Sequence, residues 1–396
     1  MVKILLTEYV VSTYGLNNYS YISLLAEAYA MTRSLVKVLK HAGVDVIITL
    51  SNQIHNMLGR DIKVDDVVII EGNYINVLEE LREDVDYAIA IAPPHEMITI
   101  VEILRDKFLG PSYDLTKILS DKYEATLMLR KCGLKTPLTL SAYSSSEKIS
   151  IDEVSFPVVV KPSMSAGAEC VYIARDKDSF VESIRKITKC DPKGYVVIQE
   201  YVEGFHGSIS MVVYNSEIYL YSLNLQLISI LNNRIVYNGN VLPLRNKDYV
   251  QVARSVVEKI VKCLSGLKGY IGIDVVWNDE DMYVIEVNPR FTTAGVAISE
   301  LYPDLGKILI GYRLPGKERY LGNLVQGYAY IIKNVDHIER NCLDSSSPNF
   351  DLCLDKLITI GRVAEFKDVL NILLKQYGDL VKNLAYNITI VSNEIN

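Results

Sequence analysis

Histidine is scarce in this sequence, five in 396 residues, and the six cysteines at positions 132, 170, 190, 263, 342 and 353 form no Cys-x-x-Cys pair. The chain therefore offers no zinc or thioredoxin motif, and scattered thiols fit a reducing cytoplasm. Positive charge is in deficit: 41 Lys and Arg against 48 Asp and Glu give a net charge of −7. With no basic run interleaved with aromatics, this argues against a nucleic-acid surface. No apolar run is long enough to span a membrane. The start, Met1-Val-Lys-Ile-Leu-Leu-Thr-Glu8, is interrupted by an acid and reads as a core strand, not a signal peptide. No Gly-x-Gly-x-x-Gly turn follows that strand, since Tyr14-Gly15-Leu-Asn-Asn does not fit, so a dehydrogenase is disfavoured.

What remains is an ordinary globular composition, 49% hydrophobic and 22% charged, in a chain long enough for two or three cores. Val2 to Leu6, Val44 to Leu50, Val67 to Ile70 and Tyr87 to Ala92 read as buried strands. Leu24, Leu25, Ala28, Met31, Leu35, Val38 and Leu39 recur at helical spacing between the first two. Strands alternating with helices predict a parallel sheet covered on both faces. We expect this first α/β domain over residues 1–111, ending at Gly110-Pro111-Ser112. Thr116 to Lys131 reads as one helix. A smaller α/β unit follows, with strands at Thr136 to Ser141, Pro157 to Val160, Val171 to Ala174 and Tyr195 to Tyr201. Residues 311–396 read as a mixed carboxy-terminal α/β extension.

The densest signal is Tyr283-Val-Ile-Glu-Val-Asn-Pro-Arg290, preceded by Ile271-Gly-Ile-Asp-Val-Val. Residues two apart on a strand share a face, so Glu286 and Asn288 stand side by side. Trp277-Asn-Asp-Glu-Asp281 reads as a turn that brings Asp274 opposite Glu286. Two carboxylates and an amide oxygen make a hard oxygen site that suits Mg²⁺ beside nucleotide phosphates. Alone, such a hairpin also fits solvated edge acids, so the rest of the chain has to decide. Phe156-Pro-Val-Val-Val-Lys161 runs a buried strand into a lysine, then into the small residues Ser163-Met-Ser-Ala-Gly-Ala168. Small residues let backbone N–H groups approach phosphate, and the lysine adds a point charge. Tyr195-Val-Val-Ile-Gln-Glu200-Tyr-Val-Glu-Gly204 is a strand ending where backbone groups could meet an adenine edge.

This order of parts resembles the ATP-grasp superfamily over roughly residues 110 to 310, and Asp121-Lys122 followed by Leu129, Gly133 and Thr136-Pro137 resembles the segment entering that family's nucleotide lid. The resemblance implies an ATP-grasp fold: an amino-terminal parallel α/β domain, then a two-subdomain nucleotide clamp over 112–310 with a lid at about 134–203. It implies an ATP-dependent, ADP-forming carboxylate–amine ligase working through an acyl phosphate. ATP and Mg²⁺ would be the cofactors, with Mn²⁺ as an alternative metal. It implies that Lys122 and Lys161 contact phosphates, that Glu200, Val202 and Glu203 hold the nucleoside, and that Asp274, Glu286 and Asn288 bind the metal. Arg290, with Lys161, would steady the transferring phosphoryl group. Two departures stand out. The phosphate loop is poorer in glycine than is usual, and His206-Gly207 falls where many relatives carry a ribose-binding Glu.

A narrower resemblance lies in Glu8-Tyr9-Val10, Leu24 to Met31, Asn224-x-Gln226, Tyr237-Asn-Gly239 and Asn288 to Thr293, which are similar to archaeal tyramine–glutamate ligases. It implies a γ-glutamyl amide product, with Asn224, Gln226, Thr292 and Thr293 touching substrate. Thr292-Thr293 could equally cap the next helix. The expected partners are a small carboxylic acid and an amine, with no nucleic acid and no membrane; a homodimer is compatible with the reading. Competing readings are an ATP-grasp ligase for other amino acids or amines, and a nucleotide-binding protein without turnover. The complete set of cations and carboxylates argues against the latter.

Overall fold

The computed structural model describes residues 2–15, 22–58, 62–144, 154–190, 195–278, 281–313, 320–333 and 357–377. The first sheet is parallel, in the order β3-β2-β1-β4. Its elements run β1 (Lys3–Glu8), α1 (Tyr9–Thr13), α2 (Ile22–His41), β2 (Asp45–Ser51), α3 (Asn52–Leu58), β3 (Asp66–Ile70), α4 (Tyr74–Glu83), β4 (Tyr87–Ile91) and α5 (Pro94–Leu104). Ile4, Leu5 and Leu6 are fully buried, as the continuous apolar run predicts for a strand covered on both faces. In α2, Leu25, Ala28, Leu35 and Leu39 are fully buried and face the core. Each such leucine contributes roughly 2 kcal/mol of burial.

Two helices follow, α6 (Tyr113–Ser120) and α7 (Lys122–Lys131). The sequence predicts one helix here. The break falls at Asp121, whose extended backbone ends α6 and whose carboxylate accepts N–H bonds from Tyr123 and Glu124 at 2.9 and 3.2 Å. An aspartate cap competes with helix continuation. The break aims Lys122, the first residue of α7, inward, where it is 5% exposed.

The second sheet has eleven strands. The strands of the smaller α/β unit are β5 (Thr139–Ser144), β6 (Val158–Pro162), β7 (Tyr172–Ala174) and β8 (Tyr195–Glu200), backed by α8 (Lys177–Ile187). Next come β9 (Phe205–Tyr214), β10 (Glu217–Leu231), β11 (Arg234–Leu242), α9 (Lys247–Cys263), β12 (Gly269–Trp277), β13 (Met282–Asn288), α10 (Thr293–Leu301) and α11 (Leu305–Leu309). The path reads β13-β12-β9-β10-β11-β7-β6-β8-β5. Among the described residues, one ladder pair, Arg234 with Tyr172, joins β5–β8 to the rest of the sheet. Of the carboxy-terminal extension, β14 (Tyr328–Lys333), β15 (Ile358–Val363) and α12 (Phe366–Tyr377) are described. They do not form a separate sheet: β14 pairs with β11, and β15 pairs with β14. At that seam Gly239 has φ +139°, and a Cβ there would lie 1.9 Å from the Ile331 carbonyl oxygen.

The amino-terminal sheet is welded to the second half through α2. One apolar core runs from Ile4, Leu25 and Leu35 to Phe291, Val296, Leu301 and Leu305. Gly306 in α11 sits so close to α2 that a Cβ would meet the Val38 carbonyl oxygen at 2.1 Å.

The cysteines overturn the expectation of scattered thiols. Cys132 bonds Cys263, and Cys170 bonds Cys190; Cys342 and Cys353 lie outside the described residues. Pairs separated by 131 and 20 residues are made by tertiary folding, which spacing alone does not reveal. Their pairing removes the thiol argument for a reducing compartment. No described helix is long and apolar enough to cross a membrane. The Cys132–Cys263 bridge ties the end of α7 to the end of α9, closing a loop for which chain entropy predicts about 4 to 5 kcal/mol. Cys263→Ser should lower the melting temperature by several degrees under non-reducing conditions. An unchanged melting temperature, or no 132–263 cross-link in a non-reduced peptide map, would contradict the bridge.

Candidate active site

A cavity of about 240 Å³ opens between the smaller α/β unit, the β9–β13 part of the second sheet and the amino-terminal sheet. One side is lined by Lys122, Lys161, Glu200, Val202 and His206, and another by Glu8, Leu24, Glu27, Met31, Ile91 and Pro93. Asp274, Glu286, Asn288 and Arg290 also line it.

The hairpin carries the centre. Asp274 pairs directly with Glu286 across β12 and β13, and Gly272 with Asn288. A register shift follows Asp274, but Glu286 and Asn288 keep their shared face. Gln226 Nε2 donates to Asp274 Oδ1 at 2.9 Å, and Asn288 Nδ2 to Oδ2 at 3.1 Å. Arg290 Nη1 donates to Asn288 Oδ1 at 2.8 Å. Lys122 Nζ lies 3.5 Å from Glu286 and also donates to the Ser165 carbonyl. Burial, reinforced by the neighbouring Glu286 charge, pushes the Asp274 carboxyl well above the usual range. Two half-buried carboxylates with an amide oxygen are a donor set that fits a dication, which would relieve that repulsion. Among the described residues there is no cluster of three His, Cys, Asp or Glu that could hold a metal ion.

The cations are buried with the acids. Lys161 is 4% exposed, and burial, aided by Lys122, pulls its pKa down to about 8 although Glu286 opposes the shift. Burial also lowers Arg290, while Glu286, Asp274, Glu27 and Glu8 support its charge. The loop after β6 brings Ser165, Ala166, Gly167 and Ala168 to the cavity. Gly167 and Ala168 adopt left-handed backbone, at φ +67° and +58°, so the turn forms despite its single glycine. His206 has its pKa lowered to about 4 by burial and is a neutral ring at pH 7.

Two residues expected at the site do not line the cavity. Asn224 is fully buried beneath it, donating to the Ser208 and Ser210 hydroxyls. Alternation along β10 puts it on the face of Gln226 but does not tell that it is covered there. Glu203 is exposed, and its carbonyl accepts from Asn278 at 3.4 Å. Thr292 occupies the cap position of α10 but makes no side-chain capping bond; its hydroxyl lies 3.3 Å from that of Tyr270. Thr293 donates to Glu27 at 2.6 Å.

Tyr237 and Asn240 line the cavity together, an arrangement strand alternation does not predict. A β-bulge makes it: Leu227 pairs with Gly239 but Ile228 with Tyr237, so the extra residue Asn238 shifts the parity. Glu8 and Glu27 arrive from the amino-terminal domain. Glu8, at the end of β1, caps α1 by accepting the Val11 N–H at 2.8 Å.

Residues 119–294 match the ATP-grasp domain family. The tyramine–L-glutamate ligase of Methanocaldococcus fervens is 32% identical over 260 residues, covering 63% of this chain and 72% of that protein. Its counterpart in Methanocaldococcus jannaschii is 30% identical over 247 residues, 61% of this chain and 67% of that one. A D-alanine–D-alanine ligase of Fusobacterium nucleatum is 22% identical, covering 61% of this chain and 81% of that protein. The fold is shared with a solved ATP-grasp superfamily protein of Archaeoglobus fulgidus, at TM-score 0.63 and 21% identity over 92% of this chain and 99% of that one. It is shared also with N5-carboxyaminoimidazole synthetase of Staphylococcus aureus, at TM-score 0.66 and 13% identity over 95% of this chain and 97% of that one. The family match and the relatives thus make this an ATP-dependent enzyme of the ligase class. The chain belongs to the ATP-grasp family.

Glu8 supplies a pH test of this geometry. Burial pushes its carboxyl from the ordinary 4.5 up to about 8, against the Val11 and Val10 N–H groups and Arg290, which lower it. The folded chain then keeps a proton that the unfolded chain releases between those values. The stability this gives is whole below about pH 4.5 and lost as pH rises through about 8. Denaturant titrations at pH 5 and pH 8 should show wild type losing more stability than Glu8→Gln over that interval. Parallel losses would mean Glu8 is not held protonated.

Proposed function

We propose that this chain joins a carboxylic acid to an amine with ATP, releasing ADP and phosphate. L-Glutamate is the preferred acid and tyramine the preferred amine, after the ligases it resembles. The observation that carries the reading is the convergence of Asp274, Glu286, Asn288, Arg290, Lys122 and Lys161 on one cavity. Phosphoryl transfer asks little covalent work of a protein and much placed positive charge. A carboxylate oxygen of the acid attacks the γ-phosphorus, and the bond to the ADP oxygen breaks. The amine nitrogen then attacks the acyl carbon, phosphate leaves, and the nitrogen gives up a proton to leave a neutral amide.

Lys122 and Lys161 would hold the phosphates, and Arg290 would steady the transferring group beside the acyl oxygen. Glu200 and Val202 would face the adenine. Asp274, Glu286 and Asn288 would hold Mg²⁺, which supplies charge neutralisation at the transferring phosphate. A biotin carboxylase domain of the same fold from Hydrogenobacter thermophilus, 15% identical at TM-score 0.63, was solved with MgADP. The lid, attached through one ladder pair, would close over the acyl phosphate and exclude water.

Glu286→Gln should lower kcat more than about a hundredfold while the melting temperature stays within a few degrees. Full Mg²⁺-dependent turnover in that variant would sink the metal assignment. Chromatography of the spent nucleotide should find ADP; AMP with pyrophosphate would refute the acyl-phosphate route. ADP formation with another acid and amine would change the substrates alone.

A further inference from the structure

A chain of polar contacts runs along the wall of the cavity formed by α2, α10 and β11. Lys333 Nζ, at the end of β14, is bonded to Glu27 Oε1 and lies 5.5 Å from the centroid of the Tyr237 ring. The two charged side chains are 10% and 6% exposed. Glu27 Oε2 accepts the 2.6 Å bond from Thr293. The Tyr237 hydroxyl accepts a hydrogen bond from Asn240 Nδ2. Asn240 is 2% exposed, and its Oδ1 is buried with no donor among the described residues. Glu27, Tyr237, Asn240 and Thr293 face the cavity.

This wall offers acceptors. The Glu27 carboxylate has lone pairs beyond its two bonds, and the Asn240 amide oxygen has none of its donors. An orphaned buried acceptor is costly until something fills it. A carboxylate or phosphate placed here would be repelled by Glu27; a group carrying positive charge and several N–H donors would satisfy both acceptors. In the ligase reading Lys122, Lys161 and the metal carboxylates serve phosphate and metal, and Lys333 takes only one of the Glu27 oxygens, which leaves lone pairs on Glu27 and the Asn240 oxygen for an incoming N–H donor.

We propose that Glu27 and Asn240 form a subsite for a substrate ammonium group, with Lys333 as the positioning residue that fixes Glu27. The proposal rests on the ligase reading. The ammonium is either the α-ammonium of the acid substrate or that of the incoming amine before it loses its proton. Lys333 acts through Glu27, so the carboxy-terminal strand is part of the active site although it lies outside residues 119–294.

The test uses the full chain, Mg²⁺ and ATP with L-glutamate, glutarate and tyramine as probes. Variants are Glu27→Gln, Lys333→Met and Lys333→Arg; binding of a non-hydrolysable ATP analogue reports that each is folded. If the acid supplies the ammonium, wild type prefers glutamate to glutarate. Glu27→Gln and Lys333→Met then cut that preference about ten- to hundredfold, mostly in KM, while Lys333→Arg retains much of it. If the amine supplies it, KM for tyramine rises by that factor and the glutamate-to-glutarate ratio is unchanged. Variants that bind nucleotide normally and leave both KM values within twofold of wild type overturn the subsite. Calorimetry of glutamate and tyramine binding separates the two failures. Binding that weakens tenfold in Glu27→Gln without ADP formation in wild type keeps the subsite and sinks the ligase reading; no binding of either probe to wild type overturns the subsite.

Discussion

Everything around the cavity answers one constraint: Asp274 and Glu286 are cross-strand neighbours inside a buried space. Two like charges out of water repel strongly and are retained only where donors and cations surround them. Gln226 and Asn288 donate to Asp274, Lys122 lies against Glu286, and Arg290 ties Asn288 in place. Each of these partners requires an element to be somewhere particular. Lys122 reaches Glu286 because Asp121 breaks the helix ahead of it. Gln226 faces Asp274 across β9 because β10 is fifteen residues long and crosses the whole floor. Phosphates and a dication are the chemical complement of this arrangement, since a dication would meet the carboxylates and phosphates would meet the lysines.

The hairpin was legible because a strand has a period of two and a short turn fixes which residues oppose each other. The amino-terminal parallel sheet was legible for a similar reason: continuous apolar runs alternating with an amphipathic helix have few other solutions. Asn224 shares a face with Gln226 but lies covered away from the cavity, because alternation tells which face a residue takes and not how deeply it is covered there. Tyr237 and Asn240 were not paired because a bulge at Asn238 breaks alternation, and nothing local in Tyr237-Asn-Gly239-Asn240 announces it beyond an Asn-Gly pair. The Glu27–Lys333 contact spans 306 residues and the Cys132–Cys263 bridge spans 131, and separations of that size carry no local signal. The single helix expected over Thr116 to Lys131 failed where a capping aspartate outweighed helical periodicity. In the extension, strands β14 and β15 were hard to place because they complete a sheet whose partner, β11, is itself irregular.

These successes and failures fall on different parts of the cavity. The residues that would meet phosphate and metal sit within 119–294, on regular strands and at a helix start, and local rules reach them. Glu8, Glu27 and Lys333 come from outside that segment and meet only through the packing of α2 against α10, α11 and the carboxy-terminal strand. Chemistry explains the division. Moving a phosphoryl group needs the same cations whichever acid receives it, so those groups cannot choose between acids or amines. Choice has to fall on groups that touch neither phosphate nor metal; in the proposed subsite these are Glu27 and Lys333 from the flanking segments together with Asn240 from within 119–294. A buried Glu–Lys pair contributes little net stability once desolvation is counted, and removing one partner leaves an uncompensated charge. Glu27 and Lys333 are therefore poorly explained as a structural clamp between the chain's two ends. As the fixed edge of a binding wall, the pair's orientation matters more than its energy, because a carboxylate held by both a lysine and a threonine hydroxyl can point only one way.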